Sequence, residues 1–156
     1  MRNVRSRRRA FLDLRRITIG DWIVLVAGLL TAVSLFLQWF VSNLPQTAPQ
    51  NAFAYSPDFC VVVLVFFLAT LGLVIYPALS PDLRLPPLPF STPVVFVGMG
   101  LILLLMFFFE LGKYSCITCQ GTSHGFGIYV GLIASFVYVV GSVIKWGSRP
   151  TKRMES

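Results

Sequence analysis

Charge is what this sequence is short of. Only 12% of its 156 residues are Asp, Glu, Lys or Arg, whereas a soluble domain keeps roughly 25% to cover its surface. The few charges are also unevenly placed, with most of them near the two ends. Histidine occurs once, at His124. No second acid, histidine or arginine stands deep in an apolar stretch to complete a relay, so a transporter or channel would lack its usual polar pathway. The 3.6- or 2-residue alternation of a soluble amphipathic fold is missing too, and no internal repeat is evident. A water-soluble globular domain is therefore excluded.

What the chain does have is apolar bulk. Hydrophobic residues make up 56% and aromatics 14%, gathered into four long runs: Ile19 to Val41, Phe59 to Leu79, Pro93 to Leu111 and Phe126 to Trp146. Each holds about 19–23 residues, and at ~1.5 Å per residue that is roughly the 30 Å of a hydrocarbon core. Barrel strands are shorter and alternate apolar with polar, whereas helices satisfy their own backbone in lipid. The runs predict an all-α integral membrane protein, a four-helix bundle in one domain over residues 19–146. A basic arm precedes it (residues 1–18) and a basic tail follows (residues 147–156).

The distribution of basic residues sets the expected orientation. Arg2, Arg5, Arg7, Arg8, Arg9, Arg15 and Arg16 precede the first run, Arg84 lies between the second and third, and Lys145, Arg149, Lys152 and Arg153 close the chain. The other two connections hold only Lys113. Basic loops stay inside, so both termini are expected in the cytoplasm, and in a bacterial host the membrane is the plasma membrane. The net charge of +7 reads first as an orientation signal. The arm also mixes Phe11, Leu12, Leu14 and Ile17 among its arginines, a pattern suited to anionic lipid headgroups. Nucleic acid is not an expected partner, because no aromatic interleaving or binding fold accompanies the basic residues. Trp22 and Trp39, 17 positions or about 25 Å apart on a helix, bracket the first run as interfacial anchors, and Trp146 marks the end of the fourth.

Export signals are considered and set aside. Arg8-Arg9-Ala10-Phe11-Leu12 resembles a twin-arginine core and Ala52-Phe53-Ala54 a signal-peptidase site. The apolar run between them is longer than a usual signal segment, so the first span is read as a retained anchor. Ser42 to Asp58 is the longest connection, and Ser56-Pro57-Asp58 has the form of a helix start. Pro81, Pro86, Pro87 and Pro89 predict a stiff strap between spans two and three.

Small residues mark where helices approach closely in lipid. Gly127, Gly131 and Ser135 recur at four-residue spacing in the fourth span, and Gly28 and Ala32 lie in the first. The Gly127 face is expected to meet another helix, most simply span one. Met106, Phe107, Phe108 and Phe109 make the third span bulky instead, suited to lipid or to a partner membrane protein.

Few residues are suited to chemistry. Asp21, at the start of the first span, suits a helix N-terminus, with Arg15 and Arg16 near in sequence. Glu110 follows a deep apolar run with Lys113 three residues on, on one helix face. It reads either as an interfacial ion pair or as a proton-binding or ligand-contacting carboxylate. Cys116-Ile117-Thr118-Cys119, followed by His124, admits three readings: a structural disulfide, a metal site with three ligands, or a catalytic dithiol. No cofactor is named by these residues.

Four spans, a long first outer loop and a CxxC at Cys116/Cys119 leading into the fourth span resemble the vitamin K epoxide reductase family. That resemblance implies electron transfer between thiols and a quinone. The family's paired shuttle cysteines have no counterpart between Ser42 and Asp58, and Cys60 stands alone. Gly20-Asp21-Trp22, Ser34-Leu35-Phe36-Leu37-Gln38-Trp39 and the glycine-rich fourth span are similar to uncharacterised small four-span proteins of bacteria, a resemblance that implies no activity. The expected role is a non-enzymatic accessory or scaffold subunit, with an extracytoplasmic thiol-disulfide oxidoreductase as the alternative.

Overall fold

A computed structural model of the chain describes residues 17–42, 51–79, 91–114 and 122–147. It is mostly helical. In chain order it contains α1 (Ile19–Ser34), β1 (Phe40–Ser42), α2 (Ala52–Tyr55), α3 (Pro57–Leu79), α4 (Thr92–Tyr114), β2 (Thr122–His124) and α5 (Phe126–Gly147). Three of these helices are long and apolar enough to cross a membrane: Pro57–Tyr76 within α3, Thr92–Lys113 within α4, and α5. Large apolar side chains stand exposed along α1, α3, α4 and α5 alike, Val26, Leu68, Leu105 and Phe136 among them. A surface of that kind is at home in lipid.

The first apolar run does not continue as one helix to Val41. Helix α1 has 16 residues and stops at Ser34. Its last turn tightens, with the amides of Leu35, Phe36 and Leu37 each donating three residues back, the 3₁₀ geometry common at helix ends. Trp39 then folds back, and its Nε1 donates to the Ser34 carbonyl at 2.8 Å. The indole thus gives the Ser34 carbonyl, which also accepts from the Leu37 amide, a second donor at the helix end. Trp39 is 0% exposed, against the rings of Phe59 and Phe107 at 5.4 and 5.7 Å. It is a core residue, not the interfacial anchor its position suggested, whereas Trp22 and Trp146 are exposed. Leu35 to Val41 is apolar because much of it packs on protein, and hydropathy does not separate that from facing lipid.

The segment after α1 is extended. β1 pairs antiparallel with β2, with Phe40 opposite His124, Val41 opposite Ser123 and Ser42 opposite Thr122. Gly125 and Gly127 continue the contact, their amides donating to the carbonyls of Trp39 at 2.6 Å and Gln38 at 2.8 Å. A side chain at Gly125 would run into the Gln38 carbonyl, so the two backbones meet only because that residue is glycine. No strand was expected here. Three-residue strands contribute too few alternating positions to register in sequence.

Helix α5 is central to the packing, lying along both α1 and α4, while α1 also lies along α3. Antiparallel levels match along the α1–α5 seam: Gly20 meets Lys145, Gly141 meets Ile23, and Gly131 meets Ser34. At the end bearing the strands the core is built on Leu35, Trp39, Phe59, Phe107 and Ile128. Deeper, a second cluster gathers Val24, Ala27, Val74, Phe96 and Tyr138.

Candidate functional site

Polar side chains in an apolar fold need partners, and the described residues place theirs at three levels. At the end away from the strands, Thr18 caps α1. Its hydroxyl accepts from the Asp21 amide at 3.3 Å, and the Asp21 carboxylate accepts from the Thr18 amide at 3.0 Å and the Thr18 hydroxyl at 2.7 Å. This is a reciprocal capping box. The same carboxylate takes Lys145 of α5 as a short ion-pair partner, and the Lys145 ammonium also lies 4.3 Å from the centre of the Phe96 ring. Asp21 is thus tied across the fold to the last helix. Arg15 and Arg16, its sequence neighbours, lie outside the described residues.

At mid-depth, Thr70 and Tyr138 meet with 2.6 Å between their oxygens. The Thr70 hydroxyl spends its proton on the Phe66 carbonyl at 2.8 Å, so the tyrosine is the donor. The Tyr138 ring lies against two glycines. A Cβ at Gly28 would sit 3.6 Å from it, and one at Gly100 only 2.8 Å. One side chain therefore touches α1, α3 and α4 from α5. Neither Thr70 nor Tyr138 was singled out in sequence, since each is a single polar group inside an apolar run.

The third level, at the strand end, is the candidate site. Glu110 is 4% exposed in the last turns of α4. Its Oε1 accepts from Lys113 Nζ at 2.9 Å and from the Ser56 hydroxyl at 3.2 Å. The Lys113 side chain is 62% exposed, so its ammonium reaches in from the surface. Ser56 sits just before α3, held there because Pro57 needs no amide partner at a first helical position and because the Ser56 carbonyl accepts from Cys60 at 3.1 Å. The second carboxylate oxygen, Oε2, is buried and has no donor among the described residues. Cys60, one turn into α3, is fully buried. The inner wall is aromatic, with Phe59 and Phe107 edge-on at 5.0 Å. Glu110 is therefore a buried carboxylate bridging α4 to the start of α3, with one oxygen satisfied and the other bare. The Lys113 spacing was legible in sequence, but the Ser56 contact, 54 residues away, was not.

The other sequence candidates are placed as follows. Cys116 and Cys119 lie outside the described residues. His124 ends β2, its ring 6.0 Å from Phe40 and 6.3 Å from Tyr129, with a buried Nε2 that has no partner among the described residues. Among the described residues no three His, Cys, Asp or Glu side chains gather as a metal site. Gly127 faces Trp39 and Leu37, and Gly131 faces Phe107 and Ser34. The Ser135 hydroxyl turns back to the Gly131 carbonyl at 2.8 Å. Gly28 packs on Phe67 and Tyr138, and Ala32 is buried in α1.

No protein family, curated protein or solved structure matches the chain.

Proposed function

We propose that the chain is a four-span membrane protein with both termini in the cytoplasm, acting as a non-enzymatic accessory or scaffold subunit of a membrane assembly. The observation that carries the subunit reading is the outward face of α4. Leu101, Ile102, Leu105, Phe108 and Phe109 are all exposed there, Phe109 to 71%. Large aromatic side chains grouped on one helix are the usual anchors of a protein contact.

The fourth crossing is supported by the alignment of α1 with α5. Contacts from Gly20 with Lys145 to Trp39 with Gly127 place α1 and its following turn beside 19 residues of α5 (127 to 145), or about 27 Å of helix. α1 with its turn thus covers the depth of a span, although the helix alone is short. The basic arm and tail then fall on one side, as cytoplasmic segments do, and β1, β2 and Glu110 fall on the other.

The test is photocrosslinking in cells from p-benzoylphenylalanine at position 109, with position 65 on the exposed face of α3 as control. A discrete protein adduct from position 109 is expected. Lipid adducts alone, together with a lone monomer in mild detergent, would overturn the subunit reading. Alkylation of cysteines placed at each terminus in sealed spheroplasts checks the topology separately.

A further inference from the structure

We infer that the strand end of the fold binds a neutral, hydroxyl-bearing apolar molecule between α3 and α4, its hydroxyl donating to Oε2 of Glu110. The starting point is the uneven carboxylate. Oε1 has two donors, at 2.9 and 3.2 Å, whereas Oε2 is buried with none among the described residues. A buried acceptor left bare is costly, and a carboxylate oxygen is among the strongest acceptors available.

Charge then selects the ligand class. Lys113 already balances Glu110, so a further cation would leave net positive charge in a low-dielectric setting, and an anion would meet the carboxylate itself. A neutral donor meets neither penalty. The surroundings set its body. Cys60, Phe59 and Phe107, on the adjoining turns of α3 and α4, belong to the buried apolar cluster at this end of the fold. A molecule reaching Oε2 from the membrane passes apolar side chains and ends at one acceptor, which describes a long-chain alcohol or a lipid with a free hydroxyl. Water is the competing donor.

The test uses the full chain in lipid nanodiscs with two probes, hexadecan-1-ol and hexadecane, each bearing a mid-chain diazirine. Crosslinks are mapped by mass spectrometry. The alcohol is expected to label the first turns of α3 and the last turns of α4 about ten-fold more than the alkane, the ratio one charge-assisted hydrogen bond supports. Unlabelled hexadecan-1-ol should compete, and Glu110→Leu should bring the two probes level. Thr70→Ala removes a buried hydrogen bond at mid-depth, away from the carboxylate, and should keep the preference, which guards against lost stability as the cause of the Glu110 result. Equal labelling of the wild-type chain by the two probes would mean that Oε2 takes water only, and would overturn the inference.

Discussion

The Tyr138 hydroxyl donates to Oγ1 of Thr70 across 2.6 Å, joining α5 to α3 at a depth where water is scarce. The same ring fills the space left by Gly28 on α1 and Gly100 on α4. Tyr138→Phe keeps the ring and removes the donor. It is expected to lower stability by about 0.6–1.7 kcal/mol, the range for interhelical hydrogen bonds in lipid. Tyr138→Ala also opens a cavity and should cost about 3–5 kcal/mol. Equilibrium unfolding in mixed micelles distinguishes the two. Equal losses would mean that the hydroxyl is the whole of the effect.

The glycines divide sharply by surroundings. A Cβ at Gly131 would collide with Phe107, with the Ser34 hydroxyl also only 2.7 Å away, whereas nothing lies within 4 Å of one at Gly72. Gly131→Ala is expected to destabilise by about 1–3 kcal/mol through overpacking. Gly72→Ala should be neutral or stabilise by up to about 1 kcal/mol, since alanine is the better helix former. Thermal aggregation midpoints of the two variants, measured side by side, give the sign of each change.

Asp21 and Lys145 are both largely buried as side chains, at 9% and 16% exposure. Asp21→Asn takes away the ion pair that offsets the burial of the Lys145 charge and is expected to cost about 1–3 kcal/mol. Asp21→Asn combined with Lys145→Met should cost less than the sum of the two single changes, because neither charge then remains to be buried. Strict additivity in the double-mutant cycle would show that the pair contributes nothing.

Trp39→Phe preserves the aromatic packing against Phe59 and Phe107 but removes the Nε1 donor to Ser34. The last turn of α1 should then fray, seen as faster amide exchange at Leu35 to Leu37 with the middle of α1 unchanged. Uniform exchange along the whole helix would argue against a local cap.

Cys60 is fully buried, its amide bonded to the carbonyl of Ser56, whose hydroxyl donates to Glu110. A water-soluble maleimide should leave it unmodified in the folded protein and label it once the chain is unfolded, checked by peptide mass. Labelling in the folded state would show that the strand end opens to water.

Much of the fold was legible in the sequence. The helices with the longest apolar runs, α3, α4 and α5, lie close to the expected spans because length and hydropathy are summed over some twenty positions. Span one was harder, for the residues after Ser34 are as apolar as those before it, and only the Trp39 indole and the Gly125 contact show that the chain turns there. The candidate site was half legible. Glu110 and Lys113 share a helix face, a local relation that spacing encodes, whereas Ser56 reaches Glu110 and Lys145 reaches Asp21 only through tertiary packing.

The order in which partners emerge during synthesis follows from the α1–α5 seam. Helix α1 leaves the ribosome first, yet Asp21 meets Lys145 from 124 residues later, and β1 waits for β2 over most of the same interval. Until β2 and then α5 are made, the chain lacks the strand that pairs with β1 and the Lys145 partner of Asp21. A chain truncated before Thr122 would lack both permanently. The seam between the first and last helices thus closes only in a chain made through Lys145, so the fold is completed by its last-made helix.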